Sequence, residues 1–370
     1  MLADSLGIPI SWAASAAAAD VPLVLVACSG GPDSLALAAV AAFFARRGQL
    51  RVGAVVVDHR LQEGSAQVAE ATAEVLRGLG LAPVGISTAT VFHEGVGPEA
   101  AARYARYVAL DEAAARSGAR TVLLGHTLDD QAESVLLGLA RGSGTRSLAG
   151  MPERRGIYVR PFLGLRRAET LAICAAEGLD PWHDPTNADP SFTRSRVRTR
   201  VLPFLEDELG PGIAQSLYRS ARILAQDADY LDQLAAAEFQ RLAEFARPVE
   251  PTPLIEPTPL IEPTPLIEPV EIQPSHPEIG PPEEIRLSEE ALRALPPSLR
   301  QRVLALAVVG LGGEQPSFER LLAAEALLAR RGSAGPVQLA GKVSACRLPR
   351  NRSGAQDRSG YGKLVFRRCL

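Results

Sequence analysis

Leu23-Val24-Leu25-Val26-Ala27-Cys28-Ser29-Gly30-Gly31-Pro32-Asp33-Ser34 is the stretch that decides the fold. Six apolar residues in a row read as a strand buried on both faces, as in a parallel sheet. Two glycines then let the backbone turn tightly and approach an anion closely. A helix predicted over Ser34 to Arg47 aims its unpaired first amides at the same point. Ser29 and Ser34 add hydroxyl groups, so the turn is an anion cradle built without lysine. No Gly-Lys-Ser/Thr follows, and the pattern is not Gly-x-Gly-x-x-Gly either.

Working outward, strands are predicted at Val52 to Val57, Ala82 to Ser87 and Thr121 to Gly125. Helices are predicted at Ser65 to Leu79 and from about Glu99 to Ser117. Strands alternating with helices imply an α/β fold, a parallel sheet with helices on both faces. Ligands of such sheets sit beyond the strands' C-terminal ends, so the residues following each strand carry the chemistry. This first domain spans 1–210. A helical connector over 211–247 follows, with its helix predicted from Gly212 to Phe245. Next comes Pro-Thr-Pro-Leu-Ile-Glu, repeated three times between Pro251 and Glu268. Two prolines per hexapeptide exclude a helix or a central strand, so 248–284 reads as an extended, solvated spacer. Helices from Ser288, Ser298 and Ser317 come after it. Strands at Pro336 to Ala340, Lys342 to Arg347 and Lys363 to Arg367 then make 285–370 a mainly helical region with a small β end piece.

The chain has 370 residues and a net charge of −3. The spacer alone carries eight acids and no Lys or Arg, leaving +5 on the rest. Eight basic residues stand against Asp357 between Gly341 and Leu370. The overall balance therefore hides a basic face suited to a nucleic acid. Apolar runs such as Leu35 to Ala45 are too short to span a membrane. Met1 to Val21 lacks the basic residues of a signal peptide and has Asp4 and Asp20, so it reads as a cytoplasmic start. The four cysteines form no Cys-x-x-Cys. A monomer and a homodimer are both compatible with the sequence.

Chemistry-bearing residues cluster after the strands. Thr127 and Asp130 have the spacing of a capping box, and Asp129 and Glu133, four apart, share a helix face. Acids beside a triphosphate suggest Mg²⁺, for which Asp129 and Asp130 are candidate ligands; complementing the helix dipole is the other role open to them. Arg103 and Arg106 lie three apart on one face. Asp58 ends a strand, where it can touch a ribose or adenine, or hold a turn. Arg194, Arg196, Arg198 and Arg200 fall in a stretch with no acid, a candidate RNA contact. Their alternate spacing spreads them around a helix, so not all can meet one target.

Ser-Gly-Gly-x-Asp-Ser after a first strand resembles the PP-loop of the ATP pyrophosphatases, the adenine nucleotide alpha hydrolase-like fold. Further motifs narrow the likeness: Val57-Asp58-His59-Arg60-Leu61, Glu99 to Tyr107, Gly125-His126-Thr127-Leu128-Asp129-Asp130-Gln131-Ala132-Glu133, Arg141-Gly142-Ser143-Gly144, and Asp184-Pro185-Thr186-Asn187 leading to Arg196 and Arg198. In this order the chain resembles the tRNA(Ile)-lysidine synthetases over about residues 23–205. The resemblance implies ATP binding by Ser29, Gly30, Gly31, Pro32, Asp33, Ser34, Asp58 and His126, and catalysis by Asp33, Arg103 and Glu133. Its implied substrates are ATP with Mg²⁺, L-lysine and an isoleucine tRNA with a CAU anticodon, and 285–370 would bind the tRNA. Where the family carries two consecutive arginines, this chain has Arg103-Tyr104. Where it carries Arg-Asn, this chain has Arg194-Ser195.

Competing readings differ in what they require. A tRNA thiolase of the same superfamily needs cysteine pairs. Amide-forming synthetases need no basic tail. A non-enzymatic ATP-binding module needs neither the acids nor Arg103, and a stand-alone RNA-binding protein does not need the Ser29 to Ser34 loop.

Tether entropy changes slowly with length. Deleting one hexapeptide of the spacer should leave activity within about threefold of wild type. Near-complete loss in a steady-state assay would instead make the spacer structural.

Overall fold

The computed structural model describes residues 22–60, 64–89, 98–185, 189–246, 282–329, 334–347 and 362–369. The hexapeptide repeats lie outside the described residues. The chain divides into two compact units after Gln226.

In the first unit, β1 (Leu23–Cys28) is buried at every residue. It lies between β2 (Arg51–Asp58) and β4 (Thr121–Leu124), parallel to both. With β3 (Val84–Thr88), β5 (Arg154–Arg155) and β6 (Tyr158–Val159) the sheet order is β3-β2-β1-β4-β6-β5. Only the β5–β6 pairing is antiparallel. The two-residue strands β5 and β6 carry no pattern that a sequence could reveal.

Alternation along β1 divides the core. Val24, Val26 and Cys28 pack with α1 (Pro32–Arg46), α2 (Ser65–Gly78) and Cys174 of α6 (Arg167–Ala176). Leu25 and Ala27 face Leu110, Ala113 and Ala114 of α3 (Pro98–Ser117). Helices thus cover both faces, as predicted. Each fully buried leucine, such as Leu37, Leu76, Leu110 or Leu123, contributes about 1.5–3 kcal/mol.

After β4 come α4 (Leu128–Ala140), α5 (Thr145–Leu148) and α7 (Thr193–Arg196). A π-helical turn, Val197–Val201, then joins α7 to α8 (Leu202–Leu209), and α9 (Ile213–Leu242) runs across the boundary between units. Beyond β1 the chain crosses to β2 on one side, and it later returns to β4 on the other. That reversal opens a crevice at the C-terminal ends of β1 and β4.

The second unit has β7 (Ala243–Ala246), β8 (Glu284–Ser288), α10 (Glu289–Ala294), α11 (Pro297–Gly310), α12 (Phe318–Ala329), β9 (Ala334–Gln338), β10 (Val343–Arg347) and β11 (Lys363–Arg368). Its antiparallel sheet is ordered β7-β8-β11-β10-β9. Ala235 and Phe239 of α9 join its core with Ile285, Leu304 and Phe366. The three C-terminal strands and helices fall where expected. Two strands depart from the reading. β7 occupies the predicted end of the connector helix, and β8 begins at the last residue assigned to the spacer. They pair with each other, a long-range partnership that neither segment signals locally. No described helix is long and apolar enough to cross a membrane.

Gly125 ends β4 against the loop after β1. A Cβ there would stand 2.9 Å from Asp33 O and Ser34 N. Gly125→Ala should therefore cost about 1–3 kcal/mol by forcing backbone apart. Thermal denaturation should register a drop of several degrees, and an unchanged Tm would mean that the loop has room to spare.

Candidate active site

The loop holds itself in shape. Ser34 Oγ accepts from Ser29 N at 3.1 Å and donates to Gly31 O at 3.0 Å. Cys28 Sγ and Ser29 Oγ lie 3.5 and 3.3 Å from the same oxygen. Gly30 has φ +82, and a Cβ there would meet Thr72 Oγ1 at 2.6 Å. Its carbonyl accepts from Trp182 N at 2.9 Å. Gly31 caps α1 with no side-chain bond, and Pro32 takes the first helical turn, where its missing N–H costs nothing. The first amides of α1 therefore have no side-chain acceptor. Ser34 is buried and internally bonded, so it shapes the cradle, whereas Ser29 is exposed at its lip.

Facing the loop across the crevice, α4 begins with the predicted capping box. Thr127 Oγ1 accepts from Asp130 N, and Asp130 Oδ2 accepts from Thr127 N at 2.9 Å. Its acids are bound by arginines from elsewhere. Arg167 Nη2 reaches Asp33 Oδ2 at 3.1 Å and Asp130 Oδ1 at 3.3 Å. Arg198 Nη2 reaches the same Asp130 Oδ1 at 3.0 Å, and its Nε donates to Glu133 Oε1 at 2.6 Å. Arg194 Nε lies 3.5 Å from Glu133 Oε2. Arg166 Nε and Arg167 N bind Asp129 at 3.0 and 2.7 Å. The Glu133 side chain is 0 % exposed.

These surroundings set the charges. Burial pushes the Asp33 carboxyl up, against Arg167 and Thr170. Burial likewise raises Glu133, against its bond to Arg198. For Asp130 burial is the largest influence and acts upward, but Arg167, the Thr127 amide, His126 and Arg198 together hold the group below its usual range. Burial drives His126 down to about 3, with Arg106 and Arg160 acting the same way, so its ring is neutral near pH 7.

Neither Asp129 nor Asp130 is arranged as a Mg²⁺ ligand. Their oxygens are taken by guanidinium and amide donors, and the described residues include no group of three His, Cys, Asp or Glu that could hold a metal. Mg²⁺ binds through one or two free carboxylates together with phosphates. Asp129 or Asp130 would have to exchange one of these bonds to hold the ion.

Arg103, to which the resemblance gives a catalytic role, and Arg106 both act electrostatically on His126 but differ in exposure. Arg103 is exposed over the Tyr107 ring, 5.2 Å from its centroid. Arg106 is largely enclosed, and burial lowers its pKa. It acts electrostatically on Cys28, His59 and His126, one residue at the end of each central strand. The two arginines part because successive helix positions three apart diverge by tens of degrees, and only one then faces the sheet. His59 Nδ1 and His126 Nδ1 are buried without partners among the described residues. Asp58 Oδ1 accepts from Arg60 N at 2.9 Å, the turn role that the sequence left open.

The four-arginine stretch splits. Arg194 and Arg198 face α4, whereas Arg196 binds the carbonyls of Pro190 and Ser191 and Arg200 is exposed. Arg198 and Arg200 belong to the π turn, a distortion frequent at functional sites. Sequence reading noted Arg106 only as the neighbour of Arg103 and missed Arg166, Arg167 and Thr170, which contact the acids. Arg166 and Arg167 follow no strand, and nothing in their neighbourhood marks them.

A family model described as a PP-loop domain matches residues 13–205, and one described as a TilS substrate binding domain matches 287–353. A tRNA(Ile)-lysidine synthase of Leifsonia xyli subsp. xyli is 48 % identical over 319 residues, 86 % of each chain. The chain belongs to the tRNA(Ile)-lysidine synthase family. A second member of that family, from Thermobifida fusca, is 58 % identical over 58 % of this chain and 65 % of its own. A solved U34-tRNA thiolase of Methanococcus maripaludis aligns with TM-score 0.47 and 18 % identity over 55 % of this chain and 73 % of its own, and nothing below rests on it.

Breaking a buried ion pair by removing one partner costs about 3–5 kcal/mol. Arg198→Met leaves Glu133 with only the longer contact to Arg194 and should destabilise the protein by up to about that much in denaturant melts. An unaltered midpoint would mean that Glu133 is already protonated in the fold.

Proposed function

We propose that the protein converts the wobble cytidine of a CAU-anticodon isoleucine tRNA to lysidine, consuming ATP and L-lysine. One observation carries this reading. The uncapped amides after β1, Arg106 and the acid cluster of α4 converge on a single crevice, with neutral His126 between them. Such a crevice supplies positive charge for a polyphosphate and carboxylates for an amine. The family to which the chain belongs supplies the substrate class.

In this reading ATP lies with its phosphates on the loop. The cytosine 2-oxygen attacks the α-phosphorus and pyrophosphate leaves. The ε-amine of lysine then attacks C2 and AMP departs with the oxygen, so that a carbon–nitrogen bond replaces a carbon–oxygen bond. Esterification to AMP makes a poor leaving group a good one. The protein contributes positioning and charge stabilisation. Asp33 stands at the first turn beside the phosphates. Arg106 offsets the charge that gathers as pyrophosphate departs. The incoming ammonium must lose a proton before attack, and the nearby acids Glu133 and Asp130 would have to give up a bond to Arg198 or Arg167 to accept it. The target base must leave its stack, which an anticodon loop permits at small cost. Arg196 and Arg200, turned away from α4, remain available to RNA phosphates, and residues 285–370 take the rest of the tRNA. A reaction on tRNA belongs in the cytoplasm.

Pyrophosphate release with ATP and unmodified CAU-anticodon tRNA, with and without lysine, tests the reading. Asp33→Ala and Arg106→Ala should each lower the rate about 100-fold or more. Arg103→Ala should cost no more than about tenfold, as befits an exposed charge. ATP cleavage that ignores the tRNA would mean a different acceptor.

A further inference from the structure

Arg167 belongs neither to the loop nor to α4, yet it touches both. It opens α6, and its side chain is 25 % exposed. Its Nε and Nη2 lie 3.1 Å from Asp33 Oδ2, and Nη2 also lies 3.3 Å from Asp130 Oδ1. Its backbone N–H donates to Asp129 Oδ2 at 2.7 Å. Three residues on, Thr170 Oγ1 donates to Asp33 Oδ1 at 2.6 Å. Both oxygens of Asp33 are therefore held from α6, by residues on one face of that helix. Thr170 is itself 0 % exposed, and Cys174 one turn later donates to Pro32 O, so this face is packed against the loop.

The arrangement has a plain electrostatic meaning. Asp33 and Asp130 approach each other from two elements and repel. Close by, the uncapped amides of α1 are the natural seat of a polyanion. A planar guanidinium can bond two carboxylates at once, which a single ammonium on a flexible stem does poorly.

We propose that Arg167 is a positioning residue for nucleotide binding: by bridging Asp33 and Asp130 it orients both and cancels their charge where the ATP phosphates settle. The proposal rests on the reading that ATP is the ligand of the loop. It distinguishes Arg167 from a residue that grips the phosphates itself. If Arg167 acts through the carboxylates, its removal harms binding only while those charges remain.

Equilibrium binding of ATP to the full chain, without tRNA or lysine, decides this in a double-mutant cycle. Arg167→Met should weaken binding about tenfold or more in the wild-type background and less than about threefold in an Asp33→Asn background. Arg167→Lys, which keeps the charge but not the fork, should fall between. Should Arg167→Met fail to fold by circular dichroism, Arg167→Lys in the two backgrounds carries the same comparison. An equal loss in both backgrounds overturns the proposal, because Arg167 then contacts the nucleotide directly. No loss in either overturns it too. A wild-type chain that does not bind ATP overturns the reading of the loop and this proposal together.

Discussion

Carboxylates in a closed crevice must have cations, and that necessity organises the first unit. Asp33, Asp130 and Glu133 come from two elements on either side of the reversal between β1 and β4. Each is withdrawn far enough from water that its charge is costly to leave unpaired. Arg167 and Arg198 answer from α6 and from the π turn after α7. Hydrophobic packing brings in the same segments: Cys174 of α6 shares a core with α1, and Val197 and Leu202 pack on Leu128 and Ala132 of α4. Asp130 shows the balance most plainly, since burial and paired cations pull its pKa in opposite directions and the cations win.

The same crevice divides its charges. One wall holds acids, each matched by an arginine. The other holds Arg106 with His59 and His126, whose pKa values burial lowers. A neutral His126 beside Arg106 avoids adding a second cation at a buried position. The steric limits match. Gly30 and Gly125 bring backbone within contact distance where any Cβ would collide.

Much of this was legible beforehand. The β1 run, the two glycines and the Thr127–Asp130 cap are local: strand burial, backbone freedom and helix capping depend on residues within a few positions of one another. The parallel order of the sheet followed from alternation. Glu133 and His126 were marked by the family likeness of the Gly125 to Glu133 stretch. The connector was misread at its end for the opposite reason. Helical character continues through Ala243 to Ala246, but β8, some forty residues later, claims those amides.

By itself the sequence determined the α/β class, the anion cradle at the first strand and the family likeness, because each is written in contiguous residues whose local physics has one solution. Only the tertiary structure decided which α3 arginine is enclosed, which acids are already paired and which arginines of the 194–200 run turn toward α4. Those outcomes depend on helix rotation and on ion pairs between residues as far apart as Asp33 and Arg167, 134 positions along the chain. No pattern along the chain encodes the direction in which a side chain will find its partner.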